Sequence, residues 1–228
     1  MRLTFSIDGP SNAGKSTVVA ELARRGLQVL PDAGDLFTIF PPFPVDAVSA
    51  RANERYCVLA ELARSALLGT RWRQDTDCVM DRSALSTLAI AYGYSGRFGA
   101  AAFGELCGEL AGAVRSGTLR MPGTFVYLSR PAGLLSARNA QRPIPLDDYW
   151  MEDRMLQRQL DFYEAWADLV GPSCLVVAET DRPAAVLADQ ILLAVRTTPA
   201  AAAGPVAAAL EALPERLQNI QYSARRSS

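Results

Sequence analysis

Residues 9–17 read Gly-Pro-Ser-Asn-Ala-Gly-Lys-Ser-Thr, a full match to G-x-x-x-x-G-K-[ST]. This pattern constrains the fold because it works only between a strand and a helix, and both flanks are present. Residues 3–8 alternate as a strand entering a turn. From Lys15 to Arg25 the run KSTVVAELARR sets Val18, Val19, Leu22 and Ala23 on one helical face, with Gly26 as a stop. Gly9 and Gly14 let the backbone of Pro10, Ser11, Asn12 and Ala13 wrap closely enough to aim successive N–H groups at phosphate oxygens. The helix that starts here adds its positive end. Lys15 suits the β- and γ-phosphates and the Ser16 hydroxyl suits Mg²⁺, with Thr17 completing the motif. Of 23 basic residues, Lys15 is the sole lysine. A nucleoside triphosphate is expected to bind at residues 9–17.

The remaining pattern predicts four more short apolar strands, at 27–30, 77–81, 124–128 and 174–178. Between them run helical stretches over 49–73, 84–92, 100–116, 131–142, 147–170 and 184–196. A Gly-rich separator, GYSGRFG, falls between the third and fourth helices, and the Pro-rich segment 35–48 reads as an exposed loop. Strands alternating with helices argue for βαβ units and a parallel sheet covered on both faces, an α/β three-layer domain over residues 1–197. Residues 198–228 turn Ala- and Pro-rich; a short helix over 205–213 is expected there, with the rest mobile.

Composition removes whole classes of function. At 228 residues and 50% hydrophobic, the chain can bury a core without disulfide or metal staples. A net charge of −1 lacks the positive field of a nucleic-acid binder. No apolar run is long enough to span a bilayer and no leader pattern opens the chain, so a cytoplasmic protein is expected. With no histidine, Ser-His-Asp and Cys-His catalysis and the common zinc sites are excluded. The four cysteines show no CxxC pairing and read as small buried hydrophobes.

Two further constellations carry chemistry. Asp81-Arg82-Ser83 ends the third strand, where such a sheet holds its magnesium-side carboxylate. Arg82 is then placed to offer a planar fork of donors to a migrating phosphoryl group. Arg138 and Arg142, four residues apart, share a helix face and can reach one anion. Followed by Pro143 and Pro145, they read as a lid over about 131–145 that closes on the phosphates.

The order GPSNAGKST, MDRSALST, a strand leading into R-x-x-x-R, and a long helix ending in Tyr and Trp resembles the thymidylate kinase and deoxynucleoside kinase families over about residues 3–196. The resemblance implies a five-stranded parallel sheet of order 2-3-1-4-5, ATP as phosphoryl donor, Mg²⁺, and a nucleoside or nucleoside monophosphate as acceptor. It also allows a homodimer, and it implies neither a nucleic-acid nor a membrane partner. In such kinases the donor adenine lies at the loop after the fifth strand, here Glu179-Thr180-Asp181-Arg182-Pro183.

Two departures from the families bear on the acceptor. Thymidylate kinases usually carry Arg-Glu-Pro after the second strand, whereas this chain has Leu30-Pro31-Asp32-Ala33-Gly34-Asp35. Deoxynucleoside kinases place a carboxylate there to take the proton of the attacking hydroxyl, which makes Asp32 a candidate base and Asp35 a second. The Ala-Tyr-Gln of thymidylate kinases appears only as a shifted Ala91-Tyr92-Gly93. Phe37, Arg51, Arg55, Ser86 and Tyr92 are candidate acceptor contacts, with core packing or a salt-bridged surface as their other reading. The expected activity is ATP-dependent phosphotransfer to a nucleoside or nucleoside monophosphate. The alternatives are a kinase for another metabolite hydroxyl and a nucleotide-driven switch; the chain lacks the Asn/Thr-Lys-x-Asp motif of GTPase switches.

Overall fold

In β1 (Thr4–Asp8), Phe5 and Ile7 point to one face of the sheet and Ser6 and Asp8 to the other, and all four are buried. Such a strand lies at the centre of a sheet covered on both sides. The computed structural model describes residues 4–36, 44–71, 76–98, 101–142, 152–178 and 182–227. In it β1 is flanked by β3 (Cys78–Asp81) and β4 (Thr124–Leu128), with β2 (Gln28–Leu30) and β5 (Cys174–Val177) outermost. All four pairings are parallel, giving the order β2-β3-β1-β4-β5 expected from the family resemblance.

Period-two alternation in β4 feeds two cores. Val126 and Leu128 join Phe5, Ile7 and Val79 under α1 (Lys15–Arg24), α6 (Ala132–Ala140) and α8 (Ala184–Thr197). Phe125 and Tyr127 face the opposite layer, which holds α4 (Ala84–Phe98), α5 (Ala101–Arg115) and α7 (Asp153–Val170). There Phe125 packs edge-on to Trp166 and Tyr127 stacks on Tyr163, with ring centroids 5.2 and 4.9 Å apart. α2 (Ala33–Leu36) packs on the long α3 (Ala47–Arg71), which packs on α4 and α5 and reaches the ends of β2 and β3 through Arg64. None of the described helices is long and apolar enough to cross a membrane.

Two expectations need correction. GYSGRFG does not separate helices at its start: α4 continues through Gly93 and Gly96 to Phe98. The glycines are there for close packing, since a Cβ on Gly93 would lie 2.1 Å from Met155 Sδ of α7 and one on Gly96 2.8 Å from Arg158 Cδ. The tail also holds a longer helix than the one expected over 205–213. Residues Ala203–Ser227 form α9, which lies across α5 and α7. Its Val206, Leu210, Leu213 and Leu217 repeat at helical spacing and are buried in the same core as Leu110 and Phe162. Ion pairs Arg115–Glu211 and Arg216–Asp168 flank this seam, and Gln221 Nε2 donates to Tyr92 Oη at 2.6 Å. An Ala-rich composition reads as low complexity, yet small side chains are what let the helix approach its neighbours.

Candidate active site

The phosphate loop sits at the carboxyl end of β1, and its backbone explains its glycines. A Cβ on Gly9 (φ 143°) would lie 2.7 Å from Leu128 O of β4, so no other residue fits there. Gly14 (φ 95°) opens α1 in the left-handed region, and Asn12 (φ 63°) adopts it without being glycine. Asn12 is held by its side chain, whose Nδ2 donates to Leu135 O and Asn139 Oδ1 of α6 at 3.4 and 3.3 Å. The same residue gathers the two expected lid arginines: Arg138 donates to Asn12 O at 3.3 Å and Arg142 to Asn12 Oδ1 at 2.9 Å. Lys15 is buried, with Nζ donating to Gly9 O and Pro10 O at 2.8 and 2.6 Å. Burial first, then the Arg82 guanidinium, hold its ammonium well below the usual lysine range; Asp81, Asp8 and Asp32 act the other way.

The end of β3 brings the second constellation to the same place. Arg82 has φ 63°, a left-handed conformation that costs a non-glycine residue about 1 kcal/mol. Two bonds fix it: Arg82 N donates to Ile7 O at 3.1 Å, and Arg64 Nη2 donates to Arg82 O at 2.9 Å. Its side chain meets the candidate base, with Nε 2.9 Å from Asp32 Oδ2. Asp32 also opens α2, accepting from Gly34 N at 3.4 Å, while Asp35 is exposed on that short helix. Asp81 is pushed above the usual carboxylate range by burial, against the pull of Arg82. Its Oδ1 is buried with no hydrogen-bond partner among the described residues.

Sequence reasoning missed three contributors, Asp8, Arg64 and Arg130, and named a fourth, Arg182, only within the loop expected at the donor adenine. Asp8 is buried beneath the loop and accepts from Ser6 Oγ (2.5 Å), Ser83 N (2.9 Å), Ser83 Oγ (2.9 Å) and Ser86 Oγ (3.1 Å). It thereby ties the first strand to the start of α4; its place directly before Gly9 was the available signal. Arg64, 1% exposed, pairs with Glu61 at 3.2 Å and spans the ends of two strands through Leu30 O, Asp81 O and Arg82 O. Arg130, after β4, and Arg182, before α8, line the same cavity as the loop. Single arginines in loops carry no local signal of this kind.

A cavity of about 510 Å³ unites these groups: loop residues 12–17 form its floor, and Arg82, Arg130, Arg138, Arg142 and Arg182 its walls. Other candidates lie elsewhere. Ser86 belongs to the buried Asp8 network, where it also meets Tyr163 Oη at 3.1 Å. Tyr92 is core, tilted against Phe103 and Phe162 and capped by the Arg158 guanidinium 4.0 Å from its ring centre. Both are buried among local partners, the core-packing reading of these candidates. Arg51 is turned into an exposed ion pair with Glu105 of α5 at 2.6 Å, the salt-bridged surface reading, and Arg55 is exposed on the same helix. Phe37 lies outside the described residues.

The residues present fit Mg²⁺. No cluster of three potential ligands that could hold a metal ion occurs among the described residues. Magnesium in phosphoryl-transfer sites needs no such cluster, since it takes one or two protein oxygens and completes its shell with phosphate and water. The orphaned Oδ1 of Asp81 beside the phosphate loop, with the Ser16 hydroxyl on the cavity wall, is a donor set of that type.

No family model matches the chain, and no curated protein matches its sequence. Solved structures do. A deoxyadenosine kinase from M. mycoides with bound dATP aligns at TM-score 0.57 and 13% identity, over 86% of this chain and 100% of that one. The same enzyme with products dCMP and a flexible dCDP gives 0.58, again at 13%. Thymidylate kinase from Candida albicans gives 0.59 at 13% identity, over 86% of this chain and 92% of that one. The fold is the P-loop fold of deoxynucleoside and thymidylate kinases.

Proposed function

We propose that this protein is a Mg²⁺-dependent phosphotransferase that moves the γ-phosphoryl group of ATP to a nucleoside or nucleoside monophosphate. The observation that carries this reading is the single cavity joining the phosphate loop to Arg82, Arg138 and Arg142. Phosphoryl transfer asks little covalent chemistry of the protein; positioning and charge stabilisation supply nearly all of the rate. Loop N–H groups and Lys15 hold the triphosphate. Arg82 reaches the equatorial oxygens from the acceptor side and the lid arginines, within 131–145, from above. Asp81 and Ser16 would hold Mg²⁺, which would supply further neutralisation of the triphosphate's charge.

Asp32 is the base in this reading. Its contact with Arg82 holds the carboxylate beside the guanidinium that meets the migrating group. A carboxylate at the end of the second strand, where a monophosphate acceptor would call for a cation, favours a hydroxyl on a nucleoside or a related metabolite.

Incubation with γ-labelled ATP and a panel of nucleosides, nucleotides and metabolites tests the proposal. Transfer of label to one acceptor with little hydrolysis alone is expected; steady hydrolysis without a labelled acceptor replaces the kinase with a nucleotide-driven switch. Lys15→Ala is expected to abolish transfer, and retained activity rejects the nucleotide site. Asp32→Asn is expected to slow transfer on the order of 100-fold; an unchanged rate removes Asp32 from the role.

A further inference from the structure

Four neighbouring strands each lead into a cation on the wall of one cavity. Across the sheet, β3 leads to Arg82, β1 through its loop to Lys15, β4 to Arg130 and β5 to Arg182. Arg182 lies five residues past the end of β5, just before α8, where its Nη1 donates to Gln190 Oε1 at 2.7 Å. Arg138 of α6 and Arg142, two residues past its end, roof this row, both anchored on Asn12. Among the described residues that line the cavity there is no carboxylate. Asp8, Asp32 and Asp81 gather at the Lys15–Arg82 end, and the described residues lining the other end include Arg130 and Arg182. Arg130 is 4% exposed, and its Nη1 donates to Ser129 O at 3.4 Å. Crowding these cations is unfavourable in itself.

A linear anion laid along the row relieves that repulsion along its whole length. A nucleoside triphosphate does so over the loop, but past its α-phosphate it offers neutral sugar and base to Arg182. We propose that the row binds linear inorganic polyphosphate, with the terminal phosphoryl group toward Arg82 and Arg182 gripping the segment that a triphosphate does not reach. This rests on the phosphotransferase reading above and names a second donor class for the same site. In the transfer, the acceptor oxygen bonds to the terminal phosphorus and the bond from that phosphorus to its bridging oxygen breaks. The electron pair stays on the bridging oxygen, the chain departs one phosphate shorter, and the acceptor's proton passes to Asp32.

Isothermal titration of the full chain in Mg²⁺ tests this with sodium tripolyphosphate, linear hexapolyphosphate and ATP as separate ligands. Hexapolyphosphate is expected to bind at least about tenfold more tightly than tripolyphosphate, the scale of one added charge-assisted contact. Arg182→Gln is expected to cut that ratio several-fold. Arg182 is exposed, and a melting curve verifies that the variant is folded. Gains that come only from the greater number of binding registers on the longer chain persist in the variant. Equal affinity for the two chains, or an undiminished ratio in Arg182→Gln, overturns the proposal. A thymidine oligonucleotide that displaces hexapolyphosphate at equal phosphate concentration also overturns it, in favour of a diffuse polyanion surface. In each of these cases ATP binding leaves the kinase reading standing, whereas failure of all three ligands to bind removes both.

Discussion

Arg64→Met is the perturbation that most directly probes how the fold positions the site. The guanidinium is 1% exposed and meets three carbonyls, Arg82 O at 2.9 Å, Asp81 O at 3.2 Å and Leu30 O at 3.4 Å, besides Glu61 Oε2 at 3.2 Å. Methionine fills the volume and meets none of them. Removing one partner of a buried ion pair costs about 3–5 kcal/mol, because the other charge stays behind. Burial already pushes the Glu61 carboxyl up, against the pull of Arg64, so without Arg64 it takes a proton more readily. The loss is therefore smaller near pH 5.5 than at pH 8. Urea unfolding followed by circular dichroism reads the loss as a lower midpoint at constant slope. Adding Glu61→Leu is expected to restore about 2 kcal/mol, the part owed to the stranded carboxylate. The strand-end carbonyls remain unmet in the double variant. Transfer activity is therefore expected to stay low, since Arg82 depends on that brace to hold its left-handed backbone. A loss below about 1 kcal/mol for Arg64→Met, or activity that recovers with stability in the double variant, refutes the bracing argument.

Arg82 separates stability from function. Arg82→Gly is expected to be more stable than Arg82→Ala by about 1 kcal/mol in chemical denaturation, because glycine adopts φ 63° without penalty, while both lose transfer by 100-fold or more. Glu54 is buried, and burial pushes its carboxyl from 4.5 up to about 7. The folded state thus holds the proton more tightly than the unfolded chain, and stability falls as pH rises from about 4.5 through about 7, by up to about 3 kcal/mol. Glu54→Gln is expected to flatten that part of a stability–pH curve, and an unaltered slope rejects the assignment. Leu213, fully buried in α9, is expected to cost about 2–4 kcal/mol as Leu213→Ala; a change within 0.5 kcal/mol, of the size seen at exposed sites, means that α9 does not share the core.

What could be read from the sequence, and what could not, divides by the range of the interaction. Gly9 to Thr17 is legible because nine consecutive residues contain the whole device, strand exit, nest, cation and helix start. Asp81-Arg82-Ser83 and the Arg138–Arg142 pair are legible for the same reason. The strand order came with the resemblance to a kinase family, not with periodicity, which sees strands but not their neighbours. Asp8 looked like an ordinary end of a strand. Its role appears only when Ser83 and Ser86, 75 and 78 residues away, are folded onto it. Arg64 sits in a helix whose pattern reads as amphipathic, and a lone arginine there is by prior a solvated one. Only the ends of β2 and β3 reveal that its face is the buried one. The glycines of α4 and the alanines of α9 were both misread as interrupting helix, from one cause. Small residues lower local helix propensity or complexity, yet they are what close helix–helix approach requires, and tertiary packing decides between the two.

The same reasoning explains why the acceptor side is harder to read than the donor side. Phosphate is recognised by backbone and fixed cations, so its site must be written in a tight local motif and in residue types with few alternatives. An acceptor hydroxyl asks for one carboxylate at the right distance, and aspartates in turns are common. Asp32 is distinguished not by its neighbours in the chain but by the Arg82 guanidinium 2.9 Å away, which arrives from the adjacent strand. That juxtaposition depends on β2 and β3 ending in register, and Arg64 bonds to the carbonyls at both ends. On the proposed function, acceptor chemistry therefore rests on a buried arginine that touches no substrate. Variants of Arg64 should change the acceptor KM and turnover while leaving ATP affinity, set by the loop on β1, within about twofold. Parallel titrations of ATP and acceptor on Arg64→Met decide it, and an equal loss on both sides shows that the two halves of the site are not separately braced.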